Sequence, residues 1–208
     1  MSKVNVFLTI DTEHSIGGAF RDPNLKPVGN EKRIFGLIGN KQYGIPLIMD
    51  IADRYGIPIT FFVEVFNKYF FGAEETREVC NYILNRNHDI QLHIHPNYLN
   101  FELHDPTKLV FSDLVGDYSL SRQAEIIEEA KETLISYGVP SPIAFRAGCF
   151  GADKNTIKAL RRTGFLIDSS YNTAYLENPC LLPDIEINDL APMHGVWEFP
   201  ITNFIEHS

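Results

Sequence analysis

The chain has 208 residues, with 18 Lys and Arg against 27 Asp and Glu, a formal charge of −9 with His neutral. Hydrophobic residues at 44% and charged residues at 22% are ordinary globular usage, which excludes a disordered or collagen-like chain. The length suits one domain, 1–208, with a sizeable core, and the acidic balance argues against nucleic acid or an anionic membrane surface as partner.

Three cysteines, Cys80, Cys149 and Cys180, show no CxxC spacing, so neither a disulfide framework nor a Cys-zinc site is suggested. The longest apolar stretches, around Ile59–Val63, are too short to insert in a membrane. Val4–Ile10 is interrupted by Asn5 and runs straight into Asp11, unlike a signal peptide, so the expected location is cytoplasmic.

Along the chain, short β-type runs alternate with helical stretches. Val4–Ile10 reads as a buried strand, and the Gly- and Pro-rich segment 14–40 as a lid or substrate-facing loop. Pro46 opens a helix with Leu47, Ile51 and Tyr55 on one stripe and Gly56 as its stop. Ile57–Val65 is a second strand, 74–85 a helix, and Asp89–His95 a third strand ending at Pro96. After a loop over 97–118, Ile127, Ala130, Leu134 and Tyr137 mark a helix closed by Gly138. Ile143–Arg146 is a fourth strand, 153–163 a helix, Phe165–Asp168 a fifth strand and Val196–Phe199 a sixth.

Such alternation predicts an α/β fold with a parallel sheet covered by helices, open or closed into a barrel, and active residues at the C-terminal strand ends. The residues at those ends are Asp11, Glu13, Glu64, His93, His95, Arg146, Asp168 and Glu198. His93 and His95, at i and i+2, project from one face and could converge on one metal; imidazole suits Zn, Fe, Co or Ni. Asp11 and Glu13 repeat that relation, leaving one carboxylate over as a base.

Arg146 would orient Asp11 or hold a substrate oxygen, or simply pair with a carboxylate at the surface. Asp168 either caps a turn with Ser169 and Ser170 or supports Arg146. Glu198 and His88 read as structural, and Cys149 as a small buried thiol rather than a nucleophile. His14, His104, His194 and His207 have no nameable partner. There is no GxSxG, P-loop or GxGxxG motif in a strand-to-helix context.

Taken in order, Leu8-Thr9-Ile10-Asp11-Thr12-Glu13, Ile59-Thr60-Phe61-Phe62-Val63, Asn87–Pro96, Phe145-Arg146-Ala147-Gly148, Gly164–Ser170 and Glu198-Phe199-Pro200 resemble the successive motifs of the polysaccharide deacetylase (NodB homology) superfamily, nearest its WalW-like group. The resemblance implies a distorted, possibly incomplete (β/α) barrel. It also implies one divalent metal ion, with Zn first and Co or Ni as others, and hydrolysis of an N-acyl group from a sugar or polysaccharide. It makes Asp11 the catalytic base.

The family's second Asp stands here as Thr12, and its second metal-binding His stands as Asn97, so Glu13 and His95 become the substitute ligands beside His93. The late His that serves the family as general acid has no counterpart after Pro200, except His207 near the end. The rival expectations are hydrolysis of an O-acetyl ester or small amide at the same site, and a catalytically inactive carbohydrate-binding or scaffold relic.

Overall fold

The computed structural model describes residues 5–103, 108–183 and 189–203. His104 and His207 lie outside the described residues. The strands of the main sheet are β1 (Thr9–Thr12), β4 (Thr60–Glu64), β5 (Asp89–Ile94), β6 (Ala144–Ala147), β7 (Ile167–Asp168), β8 (Ala191–Met193) and β9 (Val196–Glu198). A two-stranded hairpin, β2 (Leu37–Ile38) and β3 (Lys41–Gln42), stands apart from it. The helices are α1 (Asn30–Arg33), α2 (Ile45–Arg54), α3 (Lys68–Phe71), α4 (Ala73–Leu84), α5 (Leu120–Ser136) and α6 (Lys154–Arg162).

The main sheet runs in the order β1-β4-β5-β6-β7-β9-β8, parallel throughout except for the last pair. Parallel strands need long crossovers, and α4 between β4 and β5 and α5 between β5 and β6 supply them. In β4, Phe61, Phe62, Val63 and Glu64 are all buried, because a central parallel strand is covered on both faces. The core lies between sheet and helices: Phe61, Leu92 and Phe145 belong to one cluster with Ile127, Ala130, Leu134, Ile157 and Leu160.

The sheet is strongly rolled. On a flat sheet, strands about 4.8 Å apart would leave β1 and β6 about 14 Å from each other. The side chains of Arg146 on β6 and Asp11 on β1 bridge that span, the first donating to the second at 2.6 Å. Across the wider gap, the rings of Phe7, before β1, and Phe199, after β9, meet edge to face at 5.7 Å. Backbone pairing does not complete the circle among the described residues, so the architecture is a rolled, mostly parallel sheet whose gap is spanned by side chains rather than by a ladder.

Several expectations change in detail. The first strand covers Thr9–Thr12 rather than Val4–Ile10, with Val6 and Phe7 exposed ahead of it. In α2 the buried face is Ile45, Pro46, Met49 and Ala52, while Leu47, Ile51 and Tyr55 face outward. Both stripes have helical spacing, and only docking decides between them. The segment 97–118 contains short 3₁₀ turns at Pro96–Glu102 and Val115–Asp117. The antiparallel strand β8 was not anticipated; it is three residues long and carries Pro192, a composition suited to a sheet edge.

Two carboxyls are buried together where β7 pairs with β9, at the register partners Asp168 and Glu198. Ser170 Oγ donates to Asp168 Oδ1 at 2.7 Å, and Tyr171 N donates to a Glu198 oxygen at 3.0 Å. Burial raises both pKa values, and for Glu198 the neighbouring Asp168 charge raises it further. The folded pair therefore keeps a proton that the unfolded chain releases above about pH 4. Stability then falls as pH rises from that value through the folded pKa, with a slope of at most about 1.4 kcal/mol per pH unit. Urea midpoints measured between about pH 5 and 8 are expected to fall in the native chain and to fall less steeply in Glu198→Gln. Equal slopes in the two proteins would refute the shared proton.

Candidate active site

Strand register brings the polar ends together. Glu64, His93 and Arg146 are successive partners across β4, β5 and β6, and Asp11 lies opposite Phe62 on β4. Glu13 follows β1 directly, and His95 follows β5. The alternation of a strand puts His93 and His95 on one side, and their rings meet edge to face at 5.0 Å.

Glu13, His93 and His95 converge: one ligand atom from each lies within 4.8 Å of the other two. Glu13 Oε2 is 3.3 Å from His93 Nε2 and 2.5 Å from His95 Nε2. His95 Nε2 is buried and, among the described residues, has no hydrogen bond of good geometry beyond this close approach to the carboxylate. The opposite ring nitrogens are engaged. His93 Nδ1 is 2.8 Å from the Arg146 carbonyl, a partner that can only accept, so this nitrogen carries the proton. His95 Nδ1 is 2.8 Å from Asp113 Oδ1. Both rings are thus oriented from behind, leaving Nε2 of each turned towards Glu13, the arrangement metal-binding imidazoles show. Two imidazoles and a carboxylate fit a divalent ion such as Zn.

The electrostatics of the cluster call for a cation. Burial alone would raise the Glu13 pKa, but the His93 and His95 rings hold it well below the usual carboxylate range. Burial alone would lower that of His95, but Asp113 and Glu13 raise it well above the ordinary value. A proton on His95 balances the two carboxylates as a metal would. Behind the ring, burial pushes Glu64 up to about 7 although Phe66 and Asn67 donate backbone N–H groups to its carboxyl.

Arg146 organises the other half. The residue is 3% exposed, and its guanidinium lies over the Phe62 ring at 4.2 Å. Nε donates to the Ser169 carbonyl at 2.9 Å and Nη1 to Asp11 Oδ1 at 2.6 Å. Nη2 donates to Thr9 Oγ1 at 2.9 Å and Ser169 Oγ at 2.8 Å. The guanidinium thereby fixes Asp11, whose carboxylate faces solvent, at the rim next to Glu13.

Asp168 is not brought to this rim. It is fully buried against Glu198 and Ser170, and among the described residues no hydrogen bond joins it to Arg146 or Asp11; Ser169 makes the contacts with Arg146. Asn97 Oδ1 is buried without a hydrogen-bond partner among the described residues. Cys149 is exposed rather than buried, and its sulfur faces Asp113 rather than Arg146. His14 is buried between Asn30 and Asn67, and His88 Nδ1 accepts from Ile59 N at 3.1 Å.

Sequence reading missed Asp113 and Arg33, whose Nη2 lies 3.4 Å from Glu13 Oε1. Both come from irregular or very short segments, where no periodicity marks them.

No family model and no curated protein matches the sequence. Solved structures do resemble the fold. A "putative polysaccharide deacetylase" from Mycobacterium smegmatis superposes with a TM-score of 0.55 at 19% identity, over 97% of this chain and 62% of that one. A family 4 carbohydrate esterase from Streptomyces lividans, in complex with acetate, gives 0.46 at 11% identity over 79% of this chain and 60% of its own. The Streptococcus pyogenes deacetylase PplD, also with acetate, gives 0.45 at 13% identity over 76% and 52%. The chain spans about three-fifths of the first two, at 62% and 60% of their lengths. The first comparison establishes a shared mixed α/β fold with a mostly parallel sheet.

Arg146→Lys keeps the charge but cannot reach Thr9, Asp11 and Ser169 at once, nor stack flat on Phe62. A loss of about 3 kcal/mol in unfolding free energy is expected for it, measured by urea denaturation. A change within about 0.5 kcal/mol would contradict the organising role of the guanidinium.

Proposed function

We propose that the chain is a metal-dependent hydrolase that removes an acyl group, N-acetyl in the first instance, from a carbohydrate. The observation that carries the reading is the convergence of Glu13, His93 and His95 beside an Arg146-held Asp11. The fold shared with the Mycobacterium smegmatis protein, named as a polysaccharide deacetylase, supports the substrate class. In this reading the rolled sheet is a distorted, incomplete barrel, and the chain is of the WalW-like kind.

Glu13, His93 and His95 would hold one divalent ion, Zn in the first instance, which when bound supplies Lewis acidity at the acyl carbonyl and a more acidic water. The chain's own residues do the rest. His93 is kept in one tautomer by the Arg146 carbonyl, and His95 is oriented by Asp113. Asp11, steadied through one oxygen by Arg146, takes the proton of the attacking water. Arg146 keeps that carboxylate in position from beneath, and Phe62 shields the back of the guanidinium from solvent. The departure at Thr12, which removes the family's second Asp, shifts the acidic ligand to Glu13 rather than abolishing it.

The native chain, stripped with a chelator and dialysed against Co, is expected to hold about one equivalent of metal, lost in His93→Ala. Asp11→Asn is expected to keep the metal while lowering turnover of an N-acetylated sugar oligomer by about 10²–10⁴-fold. Absence of bound metal in every preparation, together with absence of hydrolysis, would refute the proposal and favour a carbohydrate-binding relic of the same fold.

A further inference from the structure

A second group of metal-ligating side chains adjoins the first. His95, Asp113 and Cys149 each offer one ligand atom within 4.8 Å of the other two. They come from three separate places: the end of β5, the segment ahead of α5, and the turn after β6. His95 Nδ1 is 2.8 Å from Asp113 Oδ1, and Cys149 Sγ is 3.6 Å from Asp113 Oδ2.

The backbone is shaped to bring the sulfur there. Cys149 and Phe150 both adopt left-handed conformations, with φ of 52° and 57°, which non-glycine residues rarely do. Gly148 lets the turn pass against the imidazole: a Cβ at that position would lie 2.6 Å from His95 Cε1 and 2.7 Å from Nδ1. Cys149 is exposed, so an ion can reach the sulfur from solvent.

We propose that His95 Nδ1, Asp113 and Cys149 form a second cation site, selective for thiophilic divalent ions such as Cd²⁺, that shares the His95 ring with the Glu13–His93–His95 cluster. Thiolate, imidazole and carboxylate together prefer softer ions than two imidazoles and a carboxylate do. On binding, a sulfur–metal bond forms, the thiol proton passes to solvent, and the His95 ring carries its proton on Nε2, facing Glu13. No electron changes hands. A neutral imidazole has one free lone pair, on Nε2 for the first cluster or on Nδ1 for the second, so the two sites exclude each other. The exclusion rests on the metal role proposed for Glu13 and His93; the second site itself does not.

The full chain, reduced and metal-free, is titrated with Cd²⁺ while the ultraviolet sulfur-to-metal charge-transfer absorption is followed. The band is expected to saturate at one Cd²⁺ per chain. It should be absent in Cys149→Ser, require about tenfold more Cd²⁺ in Asp113→Asn, and persist in His93→Ala and Glu13→Gln. A missing band in the native chain, or a band that survives Cys149→Ser, overturns the proposal.

Competition is tested by adding Cd²⁺ to Co²⁺-loaded protein and counting both ions. One Co²⁺ released per Cd²⁺ bound is expected, and two ions held together would overturn the shared ring. If Co²⁺ binds and is lost in His93→Ala while no Cd²⁺ band appears, the second site fails and the first stands. If the band appears but Co²⁺ binding is indifferent to His93→Ala, the first reading fails and the second stands.

Discussion

The buried guanidinium of Arg146 is the constraint on which the rest of this structure depends. A permanent charge taken out of water must find all its hydrogen bonds in the protein. Here Asp11 and Thr9 on β1 and Ser169 beyond β7 accept four hydrogen bonds from it. One side chain on β6 thereby ties the end of its neighbour β7 to β1, three strands away on the other flank. The same residue then fixes two site groups at once, Asp11 through its side chain and His93 through its carbonyl. Placement of the acid follows from the buried guanidinium, and the tautomer of His93 from the backbone carbonyl of the same residue.

His95 plays a comparable role on the other side. It stands where β5 ends, with one nitrogen towards Glu13 and the other towards Asp113. Carboxylates on both sides of a buried ring create a strong demand for positive charge, which a proton or a metal ion can meet. Gly148 is fitted to this ring because any side chain there would collide with it. The strained turn that follows carries Cys149 to the edge of the same group, which is how a thiol comes to adjoin a His and carboxylate cluster.

How much was legible in advance depended on whether a residue sat in a periodic element. The i, i+2 pairs at Asp11 and Glu13 and at His93 and His95 were readable because a strand turns alternate side chains to one face. The α5 stripe of Ile127, Ala130, Leu134 and Tyr137 was readable for the analogous helical reason, and all four are buried. Asp113 was not, since it lies in an irregular segment whose fold is set by contacts with distant residues. In α2 periodicity was present but ambiguous: 45, 49 and 52 compete with 47, 51 and 55, and local sequence has no means of saying which face meets the core. For Asp168 the sequence left two readings, a turn cap with Ser169 and Ser170 or support of Arg146; it accepts from Ser170 Oγ and lies buried against Glu198.

By itself, then, the sequence determined the alternation of strand and helix, the parallel character of most of the sheet and the facing pairs Asp11 and Glu13, His93 and His95 at its C-terminal strand ends. These follow from local periodicity and from the chain geometry that parallel pairing demands. Only the tertiary structure decided how far the sheet rolls, that Asp11 meets Arg146 across three strand spacings, that Asp168 is buried with Glu198, and that Asp113 and Cys149 join His95. Each of those is a contact between segments far apart in sequence. Such contacts are selected by the joint satisfaction of buried charge and packing, which no local pattern encodes.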